Sequence, residues 1–262
     1  QVSKWGNALA GIGLKPGERA LMVVKDCPEF FYLFWGCIKS GIIPVPLNTL
    51  LRAKDFGFII EDSGCNSVLY SPEFADEVEA ALADVAAKPE HIFKVETVAE
   101  LAEPASAEFA AIEATATDDC FWLYSSGTTG EHKGVVHVHR DIIATCELYA
   151  VRVLGETEAD TWFSVPKLFF AYGLGCGMTF PLWVGGSVVL DPRRPTPDTV
   201  TEMVRRFKPT IFAAVPTFYA AWLAHADFEK EDAATFRRCV SGGEALPTDL
   251  QTQWGKMCEA PI

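Results

Sequence analysis

Apolar runs of strand length alternate with helical patterns along almost the whole chain. Residues 20–24 (ALMVV) are continuously apolar and predict a buried strand. Pro28 then opens a helix in which Phe30, Phe31, Phe34 and Ile38 recur at helical spacing up to Gly41. Residues 42–47 (IIPVPL) are extended, since each proline drives its predecessor out of helical geometry. The spacing next predicts a helix over 52–62, a strand over 67–70 and an alanine-rich amphipathic helix over 73–87. Beyond residue 97 an Ala/Glu-rich stretch without firm periodicity runs to Asp119 and reads as a connection between two layers of structure.

The second half repeats the alternation. Residues 120–123 (CFWL) and Val135-Val136 read as strands on either side of a polar loop. Residues 168–190 carry no charge and are long enough to cross a membrane, where about 20 apolar residues suffice. Five glycines and Pro181 interrupt them, so a buried helix, a turn and a strand at 187–190 are predicted instead. A helix starts at Thr196-Pro197 and ends near Lys208, a strand covers 210–215, a helix covers 218–225, and Cys239-Val240 leads into Gly242-Gly243. This order predicts an α/β protein with mainly parallel sheets flanked by helices. We divide it into a first α/β portion, 1–117, and a second, 118–262; no repeat of fixed period is seen.

Composition narrows the partners. The 35 acidic against 22 basic residues give a net charge of −13, which opposes non-specific attraction to nucleic acid or anionic membranes. No nucleic-acid motif and no signal peptide appear, and the chain lacks an initiator methionine. An anionic ligand must therefore be captured by local geometry. The 8 cysteines are spread along the chain without a Cys-x-x-Cys pair and read as reduced core residues of a cytoplasmic protein. No metal set is expected: the 5 histidines lack zinc spacing, and His137 and His139, on one strand face, have no third ligand nearby. The 7 tryptophans are scattered and read as core.

The loop between the two central strands, YSSGTTGEHKG at 124–134, concentrates the candidate chemistry. Glycines at 127, 130 and 134 let backbone N–H groups converge on an anion. Ser125, Ser126, Thr128 and Thr129 add hydroxyl donors, and Lys133 adds a charge. The loop is not a Walker motif, because His132 stands where the second glycine is required. Gly173, Gly175 and Gly177 fail the dinucleotide pattern, because Met178 stands at its last glycine. From the residues alone, a phosphate cradle and an ordinary surface turn both remain open.

The same run closely resembles the phosphate-loop signature of the AMP-forming acyl-CoA synthetases, the adenylate-forming superfamily, with His132 departing from the usual proline. KLFFAYGLG at 167–175 resembles that family's acyl-pocket motif, VPTF at 215–218 the turn that follows, and SGGEALP at 241–247 the segment beside the adenine ring. With RPTPD at 194–198, the wording is most similar to the benzoate-CoA ligase branch, and the resemblance covers essentially the whole chain.

The resemblance implies ATP-dependent ligation of benzoate or a related aromatic carboxylic acid to coenzyme A through an acyl-adenylate, with AMP and pyrophosphate released. ATP, magnesium and coenzyme A are the implied cofactors and co-substrates. It assigns Ser125, Ser126, Gly127, Thr128, Thr129, Gly130 and Lys133 to the ATP phosphates, Thr128 and Lys133 among them as catalytic. Ser241, Gly242, Gly243, Glu244 and Ala245 fall on the adenine side, and Phe170, Ala171 and Tyr172 in the acyl pocket. Phe169 is expected in the core, His139 in a structural role, and Arg193-Arg194 in an exposed loop. Family members continue into a magnesium-binding segment and a small C-terminal domain with a lysine for adenylation. The chain is accordingly expected to be a partial sequence without that domain, inactive alone, and a homodimer is left open. The rival readings are a fatty-acyl-CoA synthetase and a non-catalytic nucleotide- or acyl-binding module.

Overall fold

The computed structural model describes residues 1–126 and 132–262, together with all their side chains except that of Ser126. The chain forms two compact units, Gln1–Asp141 and Ile142–Ile262.

The first unit runs α1 (Val2–Gly11), β1 (Arg19–Val23), α2 (Pro28–Lys39), β2 (Ile43–Pro46), α3 (Ala53–Ser63), β3 (Ser67–Tyr70), α4 (Ala75–Asp84), β4 (His91–Lys94) and α5 (Val95–Ala102), then the hairpin β5 (Asp119–Ser126) and β6 (His132–Val138). Four strands form a parallel sheet in the order β2-β1-β3-β4. Strands β1 to β3 are buried along almost their whole length because both faces are covered, the pattern expected of a parallel sheet. On one face Leu21, Val23, Val45 and Val68 meet Phe56, Ile59 and Ile60 of α3 and Val78 and Leu82 of α4. Trp122 and Tyr124 of the hairpin pack on this same core. The hairpin falls within the first unit, where these two rings are partly buried.

Helix α6 (His139–Thr145) spans the junction and continues as a π-helical stretch, Cys146–Val151. The second unit then follows: β7 (Thr161–Ser164), α7 (Ala171–Leu174), a π-helical stretch (Gly175–Thr179), α8 (Phe180–Val184), β8 (Ser187–Val189), α9 (Pro197–Phe207), β9 (Ile211–Ala214), α10 (Pro216–Leu223), β10 (Arg238–Ser241) and α11 (Thr248–Met257). Its strands are all parallel, in the order β10-β9-β7-β8. Side chains alternate across this sheet: Phe163, Phe212 and Ala214 join one core with Tyr219, Trp222 and Trp254, while Trp162, Ile211 and Ala213 join another with Cys176 and Phe180. Phe212 is the hub of the first, with ring centroids 5.0 Å from Trp222, 5.1 Å from Phe236 and 5.6 Å from Tyr219.

The charge-free segment is a buried helix, a left-handed glycine turn at Gly185 (φ 77°) and a short strand, as its glycines predict. Among the described residues no helix is long and apolar enough to cross a membrane. Thr196 caps α9 by accepting from the Thr199 N–H, with Pro197 in the first turn, so this boundary is set by local chemistry. Three expectations are corrected. The helix predicted over 73–87 is a 3-10 turn at Pro72–Phe74 followed by α4, which ends at Asp84 because the backbone turns extended at Val85 (φ −68°, ψ 142°). His137 and His139 do not share a strand face, since β6 ends at Val138 and His139 opens α6. Trp183 is 43% exposed rather than core, its indole donating to Glu147 at 2.8 Å.

Candidate active site

Residues 124–126 and 132–134 of the segment expected to form the phosphate loop lie on the β5–β6 hairpin. Antiparallel register sets Tyr124 opposite Gly134, Ser125 opposite Lys133 and Ser126 opposite His132. Directly opposed residues share a sheet face, so the Ser125 hydroxyl and the Lys133 stem are cross-strand neighbours, and both residues are exposed. Gly127, Thr128, Thr129 and Gly130 lie outside the described residues.

Tyr124 pins this hairpin to α3. Its hydroxyl donates to Asp62 at 2.6 Å, and burial, together with the Asp62 carboxylate, pushes the phenol well above its usual range. Gly134 gives the Tyr124 ring its space: a Cβ there would lie 3.2 Å from the ring. His132, in place of the usual proline, sits 3.4 Å from Asp55 on α3.

The acyl-pocket motif is built by close packing. Phe169 is buried and Phe170 is 48% exposed, with their ring centroids 4.6 Å apart, and Ala171 is exposed where the helix begins. Tyr172 turns inward. Its hydroxyl reaches the carbonyl oxygen of Val240 on β10 at 2.8 Å and that of Ala214 on β9 at 3.2 Å. Burial raises its pKa far above the usual range, so it stays a neutral donor. Gly173 follows because nothing larger fits: a Cβ would stand 2.0 Å from the Lys167 carbonyl oxygen. The Lys167 ammonium in turn donates to the Asp191 carbonyl oxygen at 2.5 Å.

The segment assigned to adenine begins where β10 ends. Gly242 lies against the face of Tyr172, since a Cβ would be 3.3 Å from that ring, and Gly243 takes φ +85°, which glycine adopts without strain. Glu244 and Ala245 are exposed. The Ser241 hydroxyl oxygen is buried without a hydrogen-bond partner, a state a native protein seldom leaves uncompensated. A flat base carrying polar edges fits this combination of a bare backbone, an exposed turn and an unspent hydroxyl. Within the second unit, the structure thus joins two sequence motifs, at 170–172 and 241–243, through the Tyr172 ring. That junction has no sequence signal, because it depends on which carbonyls the phenol reaches.

Several other polar residues have partners of their own. Arg193 forks onto Asp191 and also meets Glu202 at 2.8 Å. His137 stacks on Phe121 with centroids 4.7 Å apart and contacts Asp141 at 3.2 Å, while the His139 N–H donates to the Asp118 carbonyl. Asp198, His225 and Asp227 have ligand atoms within 4.8 Å of one another, a grouping invisible in sequence. His225 there contacts Asp198 at 3.1 Å, and Arg205 and Arg206 line the same surface pocket.

Comparison with known proteins places this geometry. The sequence matches the AMP-binding enzyme family over residues 1–262, and the chain belongs to that family. It is 44% identical to the benzoate-CoA ligase of Thauera aromatica over 97% of this chain and 49% of that protein. A benzoate CoA ligase from Burkholderia xenovorans LB400 is similar in structure, with TM-score 0.91 and 34% identity over 100% of this chain and 53% of that one. The anthranilate CoA ligase AuaEII, solved in complex with anthranoyl-AMP, is similar with TM-score 0.94 and 36% identity over 100% of this chain and 51% of that one. The chain spans about half the length of the curated relatives it matches.

Proposed function

We propose that this chain belongs to an ATP-dependent ligase that joins benzoate or a closely related aromatic acid to coenzyme A. The observation that carries the reading is the Tyr172 ring, fixed by its hydroxyl to two strand carbonyls and lying on Gly242. The phenol proton is committed to the protein, so Tyr172 offers its ring rather than a hydrogen bond. Beside the small Ala171 and the exposed Phe170 ring, that arrangement favours a flat, apolar acid that gains edge or face contact. The relatives named above, which carry benzoate or anthranilate in their names, support the same choice.

A carboxylate is a poor acceptor for a thiol because attack adds charge to an anion and must expel an oxide. In the proposed reaction one carboxylate oxygen attacks the α-phosphorus of ATP, the bond to the bridging oxygen breaks, and pyrophosphate leaves. The CoA sulfur then attacks the acyl carbon and AMP departs with its oxygen. Ser125, Ser126, Gly127, Thr128, Thr129, Gly130 and Lys133 are assigned to the polyphosphate, where fixed donors at developing charge commonly contribute ~2.7–4 kcal/mol each. Magnesium would add its charge to the same phosphates. Ser241 to Ala245 are assigned to the adenine, with the unspent Ser241 hydroxyl as a donor. A cytoplasmic location is supported by eight cysteines that are all free and buried.

The test is pyrophosphate release by the complete polypeptide with ATP, magnesium and a panel of benzoates, hydroxybenzoates and octanoate, alongside Lys133→Ala and Tyr172→Ala. Release that depends on aromatic acids and falls at least tenfold in both variants supports the reading. Preference for octanoate moves the protein to the fatty-acyl class, and no release with any acid leaves a binding module.

A further inference from the structure

Two of the eight thiols face each other. The sulfurs of Cys239 and Cys258 are 3.9 Å apart, and both residues are buried in the second unit. Cys239 lies on β10, two residues before Ser241, and Cys258 is the C-cap of α11. Main-chain bonds hold each side in place: the Cys258 N–H donates to the Trp254 carbonyl at 2.9 Å, and the Cys239 N–H to that of Pro261 at 3.0 Å. A disulfide places its sulfurs ~2.0 Å apart, so roughly 2 Å of closure is needed between the two side chains.

Within the pair, Cys239 is pushed up by its hydrogen bond to Cys258 and by burial, and only Cys258 departs from the other thiols. Burial pushes Cys65 and Cys146 up to about 11 and Cys27 and Cys120 up to about 12, which keeps them as inert thiols. Cys258 moves down instead, because the Cys239 thiol donates to its sulfur and the Ala260 N–H assists. A thiol held below its usual range, with a second thiol in contact, has the arrangement of an attacking cysteine and its resolving partner.

We propose that Cys239 and Cys258 are a redox modification site, which a hydroperoxide converts reversibly into an intramolecular disulfide. The Cys258 sulfur attacks one peroxide oxygen and the O–O bond breaks. The sulfur becomes a sulfenic acid, and the released hydroxide leaves as water after taking up the Cys258 proton. The Cys239 sulfur then attacks the sulfenic sulfur, the S–O bond breaks, and a second water leaves with the Cys239 proton. Two thiols lose two electrons and one peroxide gains them. Both residues are buried, so peroxide reaches the pair only when the structure around it opens locally. The bridge closes a loop from 239 to 258 that contains the whole of 241–245, so it tethers the end of α11 to the strand on which that segment hangs.

The experiment treats the complete polypeptide with graded hydrogen peroxide, blocks remaining thiols with N-ethylmaleimide under denaturing conditions, and maps peptides by mass spectrometry without reduction. The expected result is a Cys239–Cys258 cross-linked peptide two hydrogens lighter than its parts, reversed by dithiothreitol, while the other six cysteines stay alkylated. In Cys239→Ser, and equally in Cys239→Ala, Cys258 should advance to sulfinic acid without any cross-link. The proposal is overturned if the wild type oxidises Cys258 to sulfinic acid without forming the bridge. It is equally overturned if both thiols remain alkylatable at peroxide levels that oxidise the other cysteines. The wild-type map decides the matter even if a variant fails to fold.

Discussion

The two segments with the plainest chemistry in the sequence are built in opposite ways. The β5–β6 hairpin is an open ladder: residues 133–136 are all exposed, backbone register sets Lys133 beside Ser125, and Tyr124 is its anchor to α3. Helix α7 and the end of β10 are instead fitted by volume, with Gly173 against a carbonyl and Gly242 against a ring. A ladder positions side chains through hydrogen bonds that any residue supplies, so it tolerates substitution. A close-packed junction positions them through missing atoms, so one added methyl is felt.

The sharpest test of that difference is Gly173→Ala. Its new Cβ would lie 2.0 Å from the Lys167 carbonyl oxygen and 2.5 Å from the Pro166 carbonyl oxygen, both backbone atoms that cannot swing aside. A loss of about 3 kcal/mol or more is expected by urea denaturation. A loss below about 1 kcal/mol would show that the turn yields and that volume does not fix this helix.

Buried charge in the second unit should come next. Asp160 is buried, and although burial pushes its pKa up, Arg237, the Thr157 N–H and the Thr210 hydroxyl hold it down to about 2. Arg237 grips both of its oxygens, one at 2.6 Å through Nε. Because the folded value lies below the usual 3.8, this contribution is present above about pH 3.8 and is lost as pH falls through about 2. Asp160→Asn leaves Arg237 without its partner and should cost about 3 kcal/mol at pH 7. The same variant should flatten the acid limb of the stability curve, measured by urea midpoints from pH 5 to pH 2.

Glu156 has the opposite environment only four positions away. Burial raises its carboxyl to about 7, although the Trp162 indole donates to one oxygen at 2.5 Å, and the other oxygen is buried without a partner. The folded protein therefore holds this proton more tightly than the unfolded chain, whose carboxyl titrates near 4.5. Stability falls as pH rises from about 4.5 through about 7, and the loss levels off above that. Glu156→Gln removes the ionisation and should be more stable than wild type by about 1–2 kcal/mol at pH 8, with no gain at pH 5. Equal effects at both pH values would assign the change to packing.

Much of the architecture was legible because its causes are local. Pro28, Thr196-Pro197 and the apolar strand runs fix their elements within a few residues. What was hidden depends on distant partners. Helix α1 has no side-chain cap, and its burial of Trp5 and Leu9 comes from packing rather than from a boundary signal. The union of 170–172 with 241–243 depends on Tyr172 reaching Val240, 68 residues away, and the Cys239–Cys258 contact has the same character. Sequence shows which residues could act, whereas the fold decides which of them are already occupied. Tyr172 illustrates this: the resemblance assigns it to the acyl pocket, and the fold shows that its hydroxyl is spent on the sheet.

The smallest expected effect makes the cleanest contrast, because it repeats the chemical change of the largest. In Gly134→Ala the new Cβ would meet the Tyr124 ring at 3.2–3.5 Å, a side chain rather than a carbonyl, and the ring must give by only a few tenths of an ångström. Alanine also removes the entropic penalty of a glycine within a strand, ~0.5–1 kcal/mol. The two terms nearly cancel, so a net change within about 0.5 kcal/mol is expected. The Tyr124 bond to Asp62 should survive, leaving phosphate affinity in the complete polypeptide within twofold of wild type. A loss above about 2 kcal/mol would mean that the hairpin is also held by volume, with Tyr124 as rigid as Tyr172, and the distinction between the two segments would fail.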